Sequence, residues 1–434
     1  MIAGELGSIS SLSESQLTDL LSKANCVLVL LGAGASHDCE QIRLNPNDNS
    51  MPLDKGALSG LLRFPDPYPW LCWALVDLLV PNPNNEFWDT LDNEPFPKQP
   101  ERRTEELSRI PLSLLRLEDV FCLLETYMHL GLHKHQVSLA LEEMYAYLAD
   151  TFTNFFSEPG AVDSLGSQSS AYRRLCIWLQ SKTWTRVCNF NYDTLFEWES
   201  YLLQINNPTI TTHFTGRLAV QYGIKKACNL LSEWGVKNFN ANSLDFTGKG
   251  VYLSYASPQY LSHVCHKPHG SLDEYVCRHD MCVSRFKPRH ICTLVGNYEP
   301  PHGAVCPDCR NIMPPYIIPP TYTKTLNRYP TFLVDIKEAG NLPRDERIFI
   351  VCGYSYPDTD WVTKILTINA ASARYYDKTS LMKIIVVSPN MPEETASRVR
   401  KTVWDNAEIY IYKSGFADFT KILEEITDKN MRFR

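Results

Sequence analysis

The 434-residue chain is 44% hydrophobic and 21% charged, the balance of a folded globular protein rather than a disordered one. Its 42 basic and 49 acidic side chains leave a net charge of −7, so nucleic acid is not expected as a main ligand. No apolar segment reaches the roughly 20 residues that cross a bilayer.

The opening "MIAGELGSISSLSESQ" has no basic region followed by an apolar run, so no export signal is read there. Fourteen cysteines are scattered along the chain. Without an export signal they point to reduced thiols and a metal site rather than a disulfide framework, and the expected location is cytoplasmic, with no membrane partner.

The first strong element is "CVLVLL" at 26–31, an apolar run of the kind buried on both faces of a parallel sheet. "RVCNF" (186–190), "RIFIVCG" (347–353), "KIIVVS" (383–388) and "EIYIY" (408–412) are further strands. The last three alternate with helical patterns at 359–373, 393–403 and 415–426. Such alternation predicts a doubly wound, Rossmann-like parallel α/β sheet. Between the first two strands the pattern changes. A short apolar helix near 70–80 is followed by a Pro- and Asn-rich stretch (81–100). Two amphipathic helices then cover 117–131 and 136–156, with Leu117, Val120, Phe121, Leu124 and Met128 on one face and Leu139, Leu141, Met144, Tyr145 and Leu148 on the other. Residues 40–175 therefore read as a helical insertion, and residues 265–320, rich in Cys, His and Pro, as a small separate module.

Three segments carry chemistry. After the first strand comes Gly32-Ala33-Gly34-Ala35-Ser36, with glycines where a backbone turns or closely approaches a ligand phosphate. The same glycines would also serve a tight turn with no ligand, and Ser36 could cap the next helix. The third glycine of the dinucleotide fingerprint is missing, since residue 37 is His37. Asp54 lies where a ribose-binding acid could stand, but no strand pattern precedes it. The second segment, "CNFNYDTLFE" (188–197), sets Asn191, Tyr192 and Asp193 at the carboxyl end of a strand, where open α/β sheets bind ligands. Asp193 capping a helix and Asn191 satisfying turn backbone is the alternative. The third, "HKPHGSLDEY" (266–275), contains His269, Gly270 and Ser271.

Cys277-x4-Cys282 and Cys306-x2-Cys309 form a zinc-ribbon pattern, suited to tetrahedral thiolate coordination of a structural Zn²⁺. Cys292, His279, His290 and His302 are alternative ligands. The basic run "RFKPRH" (285–290) and the pair His133 and His135 read as solvated surface.

GAGAS, F-N-Y-D, H-G-S and then G-Y-S in "VCGYSYPDTD" (351–360) follow one another along the chain. In this order they resemble the sirtuin family, and most closely its bacterial antiphage-defence branch. The likeness covers residues 26–36 and 186–412. It implies one sirtuin-like catalytic domain over 1–434, carrying the helical insertion and the Cys-rich module, that cleaves NAD as a substrate. Under it Gly32, Ala33, Gly34 and Ser36 would hold the pyrophosphate and Asp193 the nicotinamide carboxamide. Asn191 would order the ribose and an attacking water, and His269 would act as base. Gly353, Tyr354, Ser355 and Asn390 would line the adenosine side. The position of the cysteine pairs after H-G-S matches the family's structural zinc module. The chain departs from deacetylating sirtuins after the glycine loop, where "SHDCEQIRLNPNDNSMPLD" replaces a proline-aspartate-phenylalanine-arginine segment and only Met51-Pro52 is reminiscent.

The resemblance thus implies an NAD glycohydrolase that is the effector of an abortive-infection system. Control would come from homo-oligomerisation or from a second defence protein that senses the trigger, with the helical insertion as docking surface. The alternatives are an NAD-dependent protein deacylase or ADP-ribosyltransferase, or a silent NAD- or ADP-ribose-binding subunit.

Overall fold

The computed structural model describes residues 9–37, 67–79, 107–112, 117–132, 134–157, 170–191, 263–275, 289–290, 315–317, 347–358, 360–372, 381–403 and 407–432, with residues 58, 61, 115, 193, 195, 196, 199, 277, 279, 281–283, 306 and 308–311. Asp54, Met51-Pro52, Tyr192, His133, Cys292, His302 and residues 285–288 of the basic run lie outside them.

The elements in chain order are β1 (Ile9–Ser11), α1 (Glu14–Lys23), β2 (Cys26–Leu31), α2 (Ala33–His37), α3 (Pro69–Leu79), α4 (Leu117–Leu130), α5 (Lys134–Ser157) and α6 (Ala171–Gln180). There follow β3 (Trp184–Asn189), β4 (His263–His266), β5 (Gly270–Tyr275), β6 (Arg289–His290), β7 (Pro315–Ile317) and β8 (Arg347–Cys352). The chain closes with α7 (Trp361–Ser372), β9 (Met382–Val387), α8 (Pro392–Val403), β10 (Ala407–Tyr412) and α9 (Phe416–Arg432).

One compact unit contains Met1–Ser50, Phe156–Ile318 and Thr325–Arg434. Its main sheet is wholly parallel, in the order β1-β10-β9-β8-β2-β3-β4. Counted from β2, this is the doubly wound order: β3 and β4 extend to one side, and β8, β9 and β10 to the other. The direction of winding reverses at β2, so the carboxyl ends of β8, β2 and β3 lie at the switch point, where open α/β sheets bind their ligands. Register places those ends level, with Leu31 opposite both Asn189 and Cys352.

The apolar content of the strands explains their position. Every residue of β2 is buried, as a central parallel strand requires. β10 alternates buried and half-buried residues, and beyond it, among the described residues, lies the three-residue β1. Leu28, Leu30, Phe349, Val351, Ile384, Val386 and Ile409 form one core with Val362 and Leu366 of α7 and Ala396 and Val399 of α8. Helices α1 and α6 both pack on α9, and the Arg174 guanidinium of α6 donates to Thr420 Oγ1 (3.2 Å) and to the Ala417 carbonyl (3.2 Å) of α9. Ser13 and Gln16 close a capping box at the start of α1, and Ser170 caps α6. A second sheet of this unit, antiparallel in the order β6-β5-β7, follows His269.

The other unit comprises Met51–Phe155 and Pro319–Lys324. Leu71, Trp73 and Leu75 of α3, Leu117, Val120, Phe121 and Leu124 of α4, and Val137, Ala140, Met144 and Leu148 of α5 are buried. On α5 the buried stripe includes Val137 and Ala140, while Leu139 and Tyr145, expected in it, are half-buried. Met128 is also half-buried, and His135 is exposed as expected. α4 ends in a Schellman turn, with Leu132 N–H donating to the Tyr127 carbonyl (3.1 Å) and Gly131 N–H to Met128 (3.1 Å). No helix among the described residues is long and apolar enough to cross a membrane.

Candidate active site

The loops after β2 and β8 pack backbone against backbone. Gly32 N–H donates to the Cys352 carbonyl (3.0 Å), Gly34 N–H to the Gly353 carbonyl (2.9 Å) and Ala35 N–H to Gly32 (2.8 Å). A Cβ on Gly32 would stand 2.6 Å from the Gly353 oxygen and the Tyr354 Cα. Gly353 has φ +59°, and a Cβ there would come within 2.5 Å of the Gly34 carbonyl carbon. The glycines are thus required by the contact between the two loops, whatever ligand they meet. The N–H groups of Gly32, Gly34 and Ala35 are spent inside the protein.

Ser36, one turn further on, is fully buried at the centre of a polar cluster. Its Oγ donates to Asp193 Oδ2 (2.7 Å), accepts from Asn191 Nδ2 (2.8 Å) and lies 2.6 Å from the Tyr172 hydroxyl. Because the serine proton goes to the carboxylate, Tyr172 donates to Ser36. Asn191 Nδ2 also donates to the Tyr172 oxygen (3.2 Å). Asp193 Oδ1 accepts from the Leu195 N–H (3.1 Å), and the buried Lys267 ammonium donates to the Asp193 carbonyl. Asp193 therefore does cap its turn, as the alternative reading has it. Asn191 does not satisfy turn backbone, a task performed by Asn189 Oδ1, which accepts from the Asn191 N–H (3.1 Å).

One atom of this cluster stands apart. Asn191 is 3% exposed, and its side-chain oxygen has no hydrogen-bond partner among the described residues. Exchanging its amide nitrogen and oxygen would take the Tyr172 proton from Ser36 and leave the 2.6 Å contact without a hydrogen. A buried, unpaired amide oxygen costs about 1–3 kcal/mol, which a ligand hydroxyl or a water would recover.

A second cluster lies one strand end away. His269 follows β4, and its Nε2 is 3.1 Å from Oδ2 of Asp360, a carboxylate with no solvent exposure. The same oxygen accepts from Thr363 Oγ1 (2.8 Å) and from the Tyr354 hydroxyl, while Asp360 Oδ1 accepts from the Thr363 N–H (3.4 Å) at the start of α7. Burial and the Asp360 charge push the Tyr354 phenol well above its ordinary range. Phe190 joins the clusters: it stacks on Tyr354 (4.7 Å between centroids), meets His269 edge-on (4.8 Å) and immediately precedes Asn191.

Of the expected site residues, Ser36, Asn191 and Asp193 form the first cluster, and His269 and Tyr354 belong to the second. Ser355 and Asn390 are exposed beyond β8 and β9. Their carbonyls accept from Arg398 (2.9 Å) and Ser388 Oγ (2.5 Å). Tyr172, Lys267 and Asp360 are not expected from the sequence. Tyr172 carries no signal of its own, since it lies on a helix the apolar periodicity does not show, and Asp360 carries only the Asp-x-x-Thr signal of a helix cap.

The four cysteines converge. The sulfur atoms of Cys277, Cys282, Cys306 and Cys309 all lie within 4.8 Å of one another, with Cys277–Cys309 at 3.4 Å and Cys282–Cys306 at 3.6 Å, and none is disulfide-bonded. Bonds of about 2.3 Å to a tetrahedral Zn²⁺ would set sulfurs about 3.8 Å apart, so this donor set could hold that ion. The turn that presents the second pair closes by Arg310 N–H on the Cys306 carbonyl (2.8 Å), with Arg310 at φ +63°. The Asn311 N–H draws the Cys309 thiol down to about 7. His279 is exposed, and among the described residues the cluster contains no histidine.

No family model matches the chain, and no curated protein matches it either. Among solved structures, a Sir2 homologue in complex with NAD is 11% identical over 98% of each chain, with a TM-score of 0.41. Two variants of a Sir2 homologue with ADP-ribose are 11% and 12% identical, cover 98% of this chain and 99% of theirs, and have TM-scores of 0.41 and 0.40. Likeness at that level carries no weight here, and the fold assignment rests on the strand order itself.

Proposed function

We propose that the chain is an NAD glycohydrolase. The observation that supports this best is the orphaned amide oxygen of Asn191, buried at the carboxyl end of β3 beside the switch point of a doubly wound sheet. It is an acceptor held in place for a ribose hydroxyl or an attacking water. The order of the four sequence motifs supplies the substrate class.

In NAD the bond from ribose C1′ to the nicotinamide nitrogen breaks with its electron pair going to that nitrogen, which neutralises the leaving group. No acid is needed. The barrier lies in the oxocarbenium-like ribose, and the protein contributes position, desolvation and a base. Asn191 Oδ1 accepts from the water or ribose hydroxyl. His269 takes the proton as the water oxygen bonds to C1′. Both Asp193 carboxylate oxygens retain a lone pair beyond their present donors for the nicotinamide carboxamide N–H. The products are nicotinamide, ADP-ribose and a proton.

The four thiolates of Cys277, Cys282, Cys306 and Cys309 would hold a zinc ion, and with all four as ligands its role would be structural. An unrestrained NADase would kill its own host, so activity is released by assembly or by a partner protein, as an antiphage effector requires. Residues 40–175 are the proposed docking insertion, carried with the Cys-rich module at 265–320 by one sirtuin-like domain over 1–434.

Purified chain incubated with NAD, in its assembled form or with its partner protein, should release nicotinamide and free ADP-ribose in equal amounts, and Asn191→Ala should lower the rate at least about a hundredfold. Undiminished release from Asn191→Ala overturns the mechanism. O-acyl-ADP-ribose or a modified protein as product would favour the deacylase or transferase reading, to which the cysteine module also lends support. Tight NAD binding without turnover, even with a partner present, would mean a binding subunit.

A further inference from the structure

We propose that Asp360 is the positioning residue for His269: its carboxylate keeps the imidazole proton on Nε2, so that Nδ1 carries the lone pair that takes up a proton, and it stabilises the imidazolium that results. The assignment of His269 as the base rests on the NAD-cleaving reading, whereas its pairing with Asp360 rests on geometry alone.

Three groups converge on a single carboxylate oxygen: His269 Nε2 (3.1 Å), Thr363 Oγ1 (2.8 Å) and the Tyr354 hydroxyl. A carboxylate can only accept, so the imidazole nitrogen at that oxygen carries a hydrogen. In the neutral ring the other nitrogen, Nδ1, is then the basic one. When it takes a proton, the new positive charge stands beside a negative charge that has no exposure to solvent and is screened very little. The carboxylate is itself fixed. Thr363 N–H and Oγ1 bind it at the first turn of α7, and the ring of Tyr354, whose hydroxyl reaches it, is stacked on Phe190. Phe190 also meets the His269 ring edge-on and limits its rotation.

The arrangement also makes Tyr354 a regulator of the pair's strength. Each donor that Asp360 accepts spreads its charge, so Tyr354 and His269 compete for one oxygen. Among the described residues, the titratable groups facing His269 are Asp360 and Tyr354, with Lys267 two positions earlier directed to the Asp193 carbonyl. Two substitutions should therefore act in opposite directions. Asp360→Asn removes the charge while keeping size and the acceptor for Thr363 N–H. Tyr354→Phe removes one competing donor and keeps the ring stack.

The experiment is a pH titration of the full-length chain, without substrate, that follows His269 in imidazole-labelled protein by ¹⁵N resonance, assigned with His269→Gln. In the native chain the neutral ring should show its proton on Nε2. Asp360→Asn should take up its imidazolium proton at lower pH and Tyr354→Phe at higher pH. With NAD, Asp360→Asn should lower kcat by about a hundredfold or more with KM changed less than about threefold, and move the acid limb of the rate profile to lower pH. A neutral ring protonated on Nδ1, or a titration unmoved by Asp360→Asn, overturns the proposal. The titration needs no turnover, so absence of NAD cleavage would defeat the functional reading, and the pairing would still stand or fall on the ¹⁵N shifts. A cooperative melt of Asp360→Asn matching the native chain excludes misfolding, and the opposite shift in Tyr354→Phe supplies a second, independent test.

Discussion

Gly353→Ala tests the loop-to-loop contact on which the site is built. Gly353 lies at φ +59°, and an alanine in that left-handed region costs about 1–2 kcal/mol from local sterics alone. The added Cβ also falls well inside contact distance of the Ala35 amide nitrogen and 2.5 Å from the Gly34 carbonyl carbon, where ordinary contact begins at 3.4 Å. Both neighbours are backbone, so the loops must part. Parting breaks the Gly34-to-Gly353 hydrogen bond and strains that from Gly32 to Cys352, for about 1 kcal/mol each. Gly131→Ala is the matched control. Gly131 has φ +74°, but a Cβ there meets nothing within 4 Å, so only the conformational cost applies.

The difference between the two variants is therefore about 2 kcal/mol, or roughly a thirtyfold change in an opening equilibrium. Amide hydrogen exchange reads it locally, which avoids assuming that both units unfold together. Residues 26–37 in Gly353→Ala should lose about thirty times more protection than residues 127–132 lose in Gly131→Ala. Equal losses would show that the glycines serve backbone conformation only, and the loop-packing account would fail.

Three further outcomes are expected. Zinc analysis should find one ion per chain, and Cys306→Ser should lose it; loading should weaken as pH falls and the thiolates, including Cys309 near 7, take up protons. His269→Ala should abolish nicotinamide release, by the same chromatographic assay used for Asn191→Ala, while still melting cooperatively, at a lower temperature because the buried Asp360 loses a partner. In the helical unit, burial pushes Glu143 up to about 7 even though it accepts from Leu71 N–H (2.8 Å). A carboxyl raised in the folded state favours folding only while protonated, so the unit should lose stability as pH rises from about 4.5 to about 7. Glu143→Gln keeps an acceptor for Leu71 and should flatten that dependence in thermal melts; an unchanged profile would refute it.

The parts of the fold legible in the sequence are those where burial is two-sided and uninterrupted. β2 is readable to the residue because six consecutive apolar side chains have no polar face to obscure them. β8 and β9 come within a residue of their expected bounds on largely buried apolar runs, and β10, which alternates buried and half-buried residues, does so through its Ile and Tyr side chains. β3 begins two residues earlier than its apolar run, since Trp184 and Thr185 extend it through side chains that do not look like a core. The edges are invisible. β1 is three residues with exposed ends, and β4 is "HVCH", two polar residues flanking two apolar ones. α6 escapes detection because its charged residues do not lie on a solvent face: Arg173 and Arg174 are both buried. A reading based on apolar periodicity assigns such residues to the outside.

The site divides in the same way between what spacing reveals and what only packing reveals. Asn191, Asp193 and His269 announce themselves as polar residues at strand ends, where parallel sheets expose them to ligand. Tyr172 and Asp360 do not, because each resembles an ordinary helix residue, one on a buried face and one at a cap. Hydrogen-bond capacity now separates supporting residues from those that face a ligand. Ser36 uses its one donor and both lone pairs within the protein, on Asp193, Asn191 and Tyr172. It can meet a phosphate only by giving one of them up. Asn191 spends both amide hydrogens and keeps its oxygen unspent, although that oxygen is buried. Within the Ser36 cluster, among the described residues, that oxygen is the acceptor left for a group from outside the chain under the proposed reading. Ser36 then acts as the post that holds Asn191 and Asp193 at their angles, and under the proposed NAD-cleaving reading the substrate contact falls to Asn191.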